Sequence, residues 1–548
     1  MSAPAWDGHA EVRHMDALRK QEQDMWRDQR ATVRYYDKWM NEVGEEGRYL
    51  SLTFSHVKNG AGGLKMTLPP DTVHYDHLLR NPDGEDATIP LTAETPGQRW
   101  DGFVTRVAEV VDDRGNKTIE VEAIHCWQHI ATTVCYASPF APLFAQWPRH
   151  WFMFGGVRTI IHLTLIANLL RRQAFMSADQ WNGAPDWAEV GSIAWPIAVG
   201  GINVLTDTSP FAAVSVRFEH ADQVFAPLLK DNGVCLTAQF FLPDMDDEQP
   251  DPDWFYLDRP TVYVTTVDKS NVVGATGTLL DGITRFFEDF FDDGVTPIRY
   301  PDYSTGGDYE QAYANTPLGN RRYFPWIWYL EGEYSGLGAS EIAIHKPLAT
   351  HVIVGGKSPG WVNASIEFAL KNALAWLGLL IGLPGLDALY QGQLDDVFLA
   401  FAEYTDQGRV QRAGPYAFQE HCVTNSSKAY TLDGLMTGRH GLHDTRGYTS
   451  HKVTVQDGAP YILGPNADFW IGDQIGFKVG DAIFVDYVTE ATYVDDRTTA
   501  GHWEITIGDG ADEEDSLVKA WSRMGQISAA IKELFTDVGA DLDLLGIL

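Results

Sequence analysis

From His351 to Tyr404 the chain reads HVIVGGKSPGWVNASIEFALKNALAWLGLLIGLPGLDALYQGQLDDVFLAFAEY, the stretch that most restricts how the rest can fold. A short β-like run, HVIV, is broken by Gly355-Gly356. Ser358-Pro359 then gives a helix start, a hydroxyl N-cap followed by proline where a missing N–H costs nothing. Val362, Ile366, Ala369, Leu370, Ala373, Leu377, Leu380 and Ile381 recur three or four apart, the period of one helical face. Pro384-Gly385 ends that helix and turns the chain into a second one, with Leu386, Leu389, Val397, Phe398 and Phe401 on its apolar side. The expectation is a helical hairpin over 351–405 whose tip carries no charge. Its apolar residues Trp376, Leu377, Leu379, Leu380, Ile381, Leu383 and Pro384 have three available fates: a core, an oligomer interface, or contact with a membrane. The uncharged run is too short to span a bilayer alone, which takes about 20 apolar residues.

The remaining chain divides around this hairpin. Residues 1–31 read as a polar helical arm with few apolar positions. From Thr32 the period changes to two: TVRYYDKW, RYLSLTFSHV and LKMTLPP read as strands, and RWDGFVTRVAEVVDDRGNKTIEVEAIHCW reads as a hairpin turning at DDRGN. This makes 32–135 a small antiparallel barrel or sandwich. In 136–350, an inserted α+β region, VRTIIHLTLIANLLRR predicts a helix with Val157, Ile160, Ile161, Leu165 and Leu169 inward. His162 among them reads as a satisfied core histidine. VSVRF, VCLTAQFFL, PTVYVTTV and YFPWIWYLEGEYS read as strands, and LLDGITRFFEDFFDDG as an amphipathic helix. Residues 406–510 return to β structure, a second barrel or sandwich. The segment 511–548 closes with a helix in which Leu517, Trp521, Met524, Ile531, Phe535 and Val538 follow a 3.5-residue period, a candidate trimer seam. The fold class expected is therefore mixed α+β and multi-domain.

Composition excludes several functions. A formal net charge of -34 argues against a nucleic-acid-binding surface, although a carboxylate-lined channel would let DNA slide without sticking. The four cysteines, Cys126, Cys135, Cys235 and Cys422, are irregularly spaced and suggest neither a disulfide framework nor a zinc site. No secretory h-region is seen near the N-terminus. GGKS at 355–358 fails as a phosphate loop because His351 stands where the pattern requires glycine, and Pro359 removes an amide. His440, His443 and Asp444 in RHGLHD lack the spacing of a metalloprotease helix. The acidic loop PDMDDEQPDPDW lacks the regular calcium-loop spacing and reads as a solvated loop. No catalytic, cofactor or metal residues are expected.

GGKSPGWVN, the apolar hairpin and DDVFLAF together resemble the central signature of minor tail proteins of actinobacterial, mycobacteriophage-like siphophages. That family resembles the baseplate hubs at the tip of long non-contractile tails, and the likeness runs from about Thr32 to the C-terminus. It implies two hub-type β modules and a structural virion protein, not an enzyme. It also implies a homotrimer at the tail tip, assembled in the host cytoplasm. The implied partners are the distal tail protein ring, the tape-measure protein and other minor tail or receptor-binding proteins, with DNA passing through unbound by sequence. Two alternatives stay open: a tail-tip cell-wall hydrolase with its catalytic domain in 173–350, or a protein whose hairpin contacts the host membrane.

Overall fold

The computed structural model describes chiefly residues 30–174, 195–288, 320–355, 401–423 and 441–508, with a few short gaps. The N-terminal module supplies seven strands: β1 (Thr32–Tyr36), β2 (Glu42–Glu46), β3 (Ser51–Val57), β4 (Gly63–Leu68), β5 (Pro90–Thr95), β6 (Gln98–Val111) and β7 (Lys117–His125). Alternation dictates their inner face. Leu52 and Phe54 on β3, Leu64, Met66 and Leu68 on β4, and Ile119, Val121 and Ala123 on β7 are all buried in one core with Trp100. The β6–β7 hairpin turns where the sequence places it. The Asp112 carboxylate accepts from the backbone N–H of Arg114 and of Asn116, each at 2.8 Å.

The middle region is α+β. After helices α1 (Tyr75–Leu79) and α2 (Gln128–Ala131) come β8 (Val134–Cys135) and β9 (Trp151–Gly156), then α3 (Val157–Ala174). Strands β10 (Ile197–Val199), β11 (Phe211–Val216) and β12 (Glu219–His220) lead to α4 (Ala221–Leu229). They are followed by β13 (Val234–Phe241), β14 (Thr261–Asp268), β15 (Val272–Val273) and α5 (Leu279–Glu288). Helix α3 buries the five apolar residues its period selects, in a core shared with α4, β13 and β14. His162 is fully buried there and hydrogen-bonded on both ring nitrogens, to the Gly200 carbonyl at 2.7 Å and to Thr266 Oγ1 at 2.8 Å, the satisfied core histidine expected.

Short strands β16 (Arg321–Arg322) and β17 (Trp328–Tyr329) precede β18 (Leu337–His345) and β19 (His351–Gly355). Beyond 356–400 come β20 (Phe401–Thr405), α6 (Gln407–Ala413), β21 (Glu420–Val423), β22 (Tyr448–Gln456), β23 (Gln474–Val479), β24 (Ala482–Asp496) and β25 (His502–Ile507). Val453, Val455, Ile475, Phe477, Val488, Ile505 and Ile507 form a second β core, completed by Ile327 and Tyr329.

The two β modules are one sheet. Its strand order is β18-β22-β25-β24-β3-β4-β7-β6-β5-β1-β2, with β23 joined to β24 and β17 to β23. The sheet is curled and half-barrel-like, and among the described residues no closed barrel forms. The strands expected to make two barrel or sandwich modules share one ladder, because β24 is long enough to serve two sets of partners. Its first part pairs with β23, and after an irregularity between Val488 and Glu490 its second part lies between β25 and β3. β6 behaves alike, with a register shift between Val104 and Arg106. Such bulges re-aim a strand and let one sheet bend sharply.

Candidate functional site

The feature on which a structural role depends is the seam where the modules meet. β3 and β24 run antiparallel from Ser51↔Asp496 to Val57↔Glu490. Above the ladder, Phe54 stacks on Tyr493 with ring centroids 5.1 Å apart and meets Trp503 edge-on at 5.5 Å and Trp100 at 6.4 Å. Pairs of this geometry contribute about 0.5–1.5 kcal/mol each beyond the area they bury. Phe54 and Trp100 come from the first module, Tyr493 and Trp503 from the second, so the cluster belongs to neither alone.

His56 extends the cluster. Its ring lies 4.8 Å from that of Trp470 and 5.9 Å from that of His125, and its Nε2 is buried without a hydrogen-bond partner. Burial holds the His56 pKa well below the usual range and pushes that of His125 down to about 4, so both are neutral near pH 7. The backbone N–H of Trp127 donates to His125 Nδ1 at 3.2 Å. At the far end of the seam the buried Asp495 carboxylate accepts from Tyr49 Oη at 2.7 Å and from Arg30 Nε at 2.9 Å.

Buried polar contacts fasten the middle region to both modules. Arg99 on β6 donates through Nε to Asp101 at 2.7 Å and through both terminal nitrogens to Asp247 at 3.0 Å. Asp101 also accepts from the Phe240 N–H at 2.8 Å, and Asp247 from the Leu242 N–H at 2.8 Å. Burial raises the Asp101 pKa to about 6 against the opposing pull of Arg99. On the other side Lys269 donates to Asp473 at 2.6 Å, and Asn59 bonds the backbone of Val234 and Leu236. Asp247 and Asp251 belong to the acidic loop. Asp251 accepts from the Gly201 N–H at 2.8 Å and from Tyr263 Oη at 2.7 Å. These two acids are thus fasteners within the protein rather than solvated loop residues. Among the described residues no three His, Cys, Asp or Glu side chains are grouped to hold a metal ion.

The root of the long apolar segment is also described. β19 and β20 pair antiparallel from His351↔Thr405 to Gly355↔Phe401, so the chain leaves for 356–400 and returns at one place. β21 adds a parallel strand on the other side of β19. Arg409 locks this small sheet, with Nη1 donating to the Ala349 carbonyl at 2.9 Å and to Thr445 Oγ1 at 3.2 Å. The Asp406 carboxylate caps α6 by accepting the Arg409 N–H at 2.9 Å.

The tip residues Trp376, Leu377, Leu379, Leu380, Ile381, Leu383 and Pro384 lie outside the described residues, as do Leu517, Trp521, Met524, Ile531, Phe535 and Val538. So do His440, His443 and almost all of the N-terminal arm. Among the described residues no helix is long and apolar enough to cross a membrane. All four cysteines are free, three of them buried. Sequence reasoning missed Arg99, Asp101, Asp495 and Arg409, because a charged side chain in a polar stretch carries no local sign of burial. Phe54 and Trp503 were legible as strand residues, but nothing in their local patterns paired them.

Comparison with known proteins places this architecture. Residues 32–509 match the family model described as Siphovirus ReqiPepy6 Gp37-like protein, which covers both β modules and everything between them. The chain belongs to that family. Minor tail protein Gp28 of Mycobacterium phage D29 is 25% identical over 525 residues, covering 84% of this chain and 87% of that protein. Minor tail protein Gp28 of Mycobacterium phage L5 is 25% identical over 534 residues with the same coverage. Among solved structures, the 43 kDa tail protein of prophage MuSo2 from Shewanella oneidensis aligns over 89% of this chain and 99% of its own, at 9% identity and a TM-score of 0.38. The chain is a structural protein of the siphophage virion tail, of the minor tail protein kind, as its sequence resemblance implied.

Proposed function

We propose that this protein is the homotrimeric baseplate hub of the tail tip, joining the distal tail protein ring above to receptor-binding or other minor tail proteins below. The observation that carries the reading is the β3–β24 ladder, which makes one chain a rigid tandem of two β modules. Three such tandems around an axis supply six similar modules, matching a six-fold tail tube to a three-fold tip. In that assembly each module completes its barrel, and the regions 1–31, 32–135, 136–350, 351–405, 406–510 and 511–548 serve as arm, first module, insertion, hairpin, second module and closing helix. The hairpin tip packs near the axis, and the seam from Leu517 to Val538 ties the copies together. The tape-measure protein meets the hub from within the tube. A net charge of -34 suits a channel through which DNA slides without being held.

The test combines the mass of the purified chain in solution with antibody labelling of virions. A trimer together with label at the tail tip supports the reading. A monomer absent from particles removes it.

A further inference from the structure

Helix α3 ends on two arginines, Arg171 and Arg172, that the described part of the chain leaves without a counter-charge. Arg171 Nη2 donates to the Val134 carbonyl at 3.4 Å and Arg172 Nη1 to Thr133 Oγ1 at 3.3 Å, so the two guanidiniums converge on adjacent residues. Arg171 also lies over the Tyr136 ring, 3.7 Å from its centroid, and Tyr136 meets Phe218 at 4.7 Å. One face of this guanidinium is thereby covered, and Arg171 Nε is buried without a hydrogen-bond partner. Arg171 Nη1 and Arg172 Nε and Nη2 stay open to solvent, with no acceptor among the described residues.

Partly buried charges are ordinarily paired. Elsewhere Arg99, Arg285 and Arg409 each hold a carboxylate, at 2.7, 2.9 and 3.6 Å. Arg171 and Arg172 hold none, in a chain with 75 acidic residues against 41 Lys and Arg. Burial lowers both guanidinium pKa values, and no carboxylate offsets it. His129 beside Arg172 is neutral, its pKa pushed down to about 4 by burial and by that arginine. Glu219 and Asp222 approach Cys135 but bond neither guanidinium.

We infer that Arg171 and Arg172 form a docking site for a carboxylate carried on another protein of the tail, one aspartate or glutamate side chain answering both guanidiniums. The donors choose the ligand. Guanidinium N–H groups presented edge-on, with a ring against one face, match the two oxygens of a carboxylate. The site is an open rim, since Phe218, Glu219 and His220 beside it are exposed. A free anion gains little on such a rim, whereas a side chain on a docked surface has already lost its freedom through the rest of the contact. The formal charge of -34 repels acidic surfaces as a whole, so the ligand is a single carboxylate and not an acidic patch. Every copy carries that same excess, which favours a less acidic partner surface over a second copy. The inference holds whatever the number of copies.

The experiment places Arg171→Gln/Arg172→Gln, Arg171→Glu/Arg172→Glu and Arg171→Lys/Arg172→Lys in the phage that carries this chain and counts infectious particles. Circular dichroism of each purified chain checks its folding. The Lys pair keeps the charge and should retain most of the yield. The Gln pair should lower the yield about tenfold and the Glu pair about a thousandfold, since juxtaposed like charges cost more than a lost contact. Revertants of the Glu pair should change an aspartate or glutamate of another virion protein to a neutral or basic residue. A folded Gln pair with the yield of the unaltered chain overturns the inference. Loss of yield whose revertants never fall in another virion protein overturns it too, because the arginines would then answer this chain or a second copy. A Gln pair that does not fold would make the arginines fasteners of α3, and also overturns it.

Discussion

Replacing Phe54 with alanine should destabilise both β modules, not only the one that contains it. The ring is almost fully buried and touches two aromatic side chains of the second module and one of the first. Truncating a buried phenylalanine costs about 3–5 kcal/mol, a transfer contribution plus the cavity left behind. Every 1.4 kcal/mol is a factor of ten in an opening equilibrium, so about 4 kcal/mol lowers protection from hydrogen exchange by roughly a thousandfold where exchange follows the shared opening. Hydrogen exchange read by mass spectrometry resolves β4 and β7 from β22 and β25. Because β3 and β24 share a ladder, peptides from all four strands should lose protection together, to a similar extent. Loss confined to β4 and β7, with β22 and β25 unchanged, would refute the reasoning: the modules would then be separate folding units that merely touch.

Three further expectations follow from buried groups. Arg99→Met should cost about 3–5 kcal/mol in denaturant unfolding, since it leaves Asp101 buried beside an unpaired Asp247; a loss under 1 kcal/mol would mean the pair is not buried in solution. On acidification the seam histidines and Asp101 act in opposite directions. His125 binds its proton at about 4 when folded and near 6.5 when unfolded, so its contribution, on the order of 3 kcal/mol, is present above pH 6.5 and lost as pH falls toward 4. Asp101, raised to about 6, contributes stability that is present below the unfolded carboxylate range and lost as pH rises through 6. Asp101→Asn should therefore make stability fall more steeply between pH 6.5 and 4, and His56→Phe less steeply, as measured by thermal melting across that window. Identical pH profiles for the two variants would contradict both assignments. Gly62→Ala should destabilise by a kcal/mol or more, because a Cβ there collides with the Ser55 carbonyl, which also accepts from Trp100 Nε1 at 3.0 Å; an unchanged melting temperature would show that this approach relaxes freely.

Much of the fold was legible in the sequence, and the limits have physical causes. Period-two runs gave β3, β4 and β7 because one face of each packs on the core and the other does not. The 3.6 period gave α3 with its buried residues and its neutral histidine. β18 escaped notice because LGASEIAIH runs through glycine, alanine and serine directly after Leu337, and its pairing with β22 is what makes it a strand. The joining of the modules was invisible for a related reason. Backbone hydrogen bonds hold β3 to β24 across most of the length of the chain, and no local pattern encodes which open edge a strand will meet. A barrel and a half-barrel offer the same alternation; they differ only in where the edges close. The charged fasteners were hidden likewise, since Arg99 and Asp101 in QRWDGF look like surface residues until Asp247 arrives from the middle region.

If the fused pair of β modules serves to build a symmetric ring at the tail tip, a density map of the intact tail tests that role most directly. It should show three copies of this chain around the tail axis at the tip, their sheets alternating first module, second module in a quasi-six-fold ring. A map placing the chain off that axis, or with its two modules separated and making no ring, would contradict it.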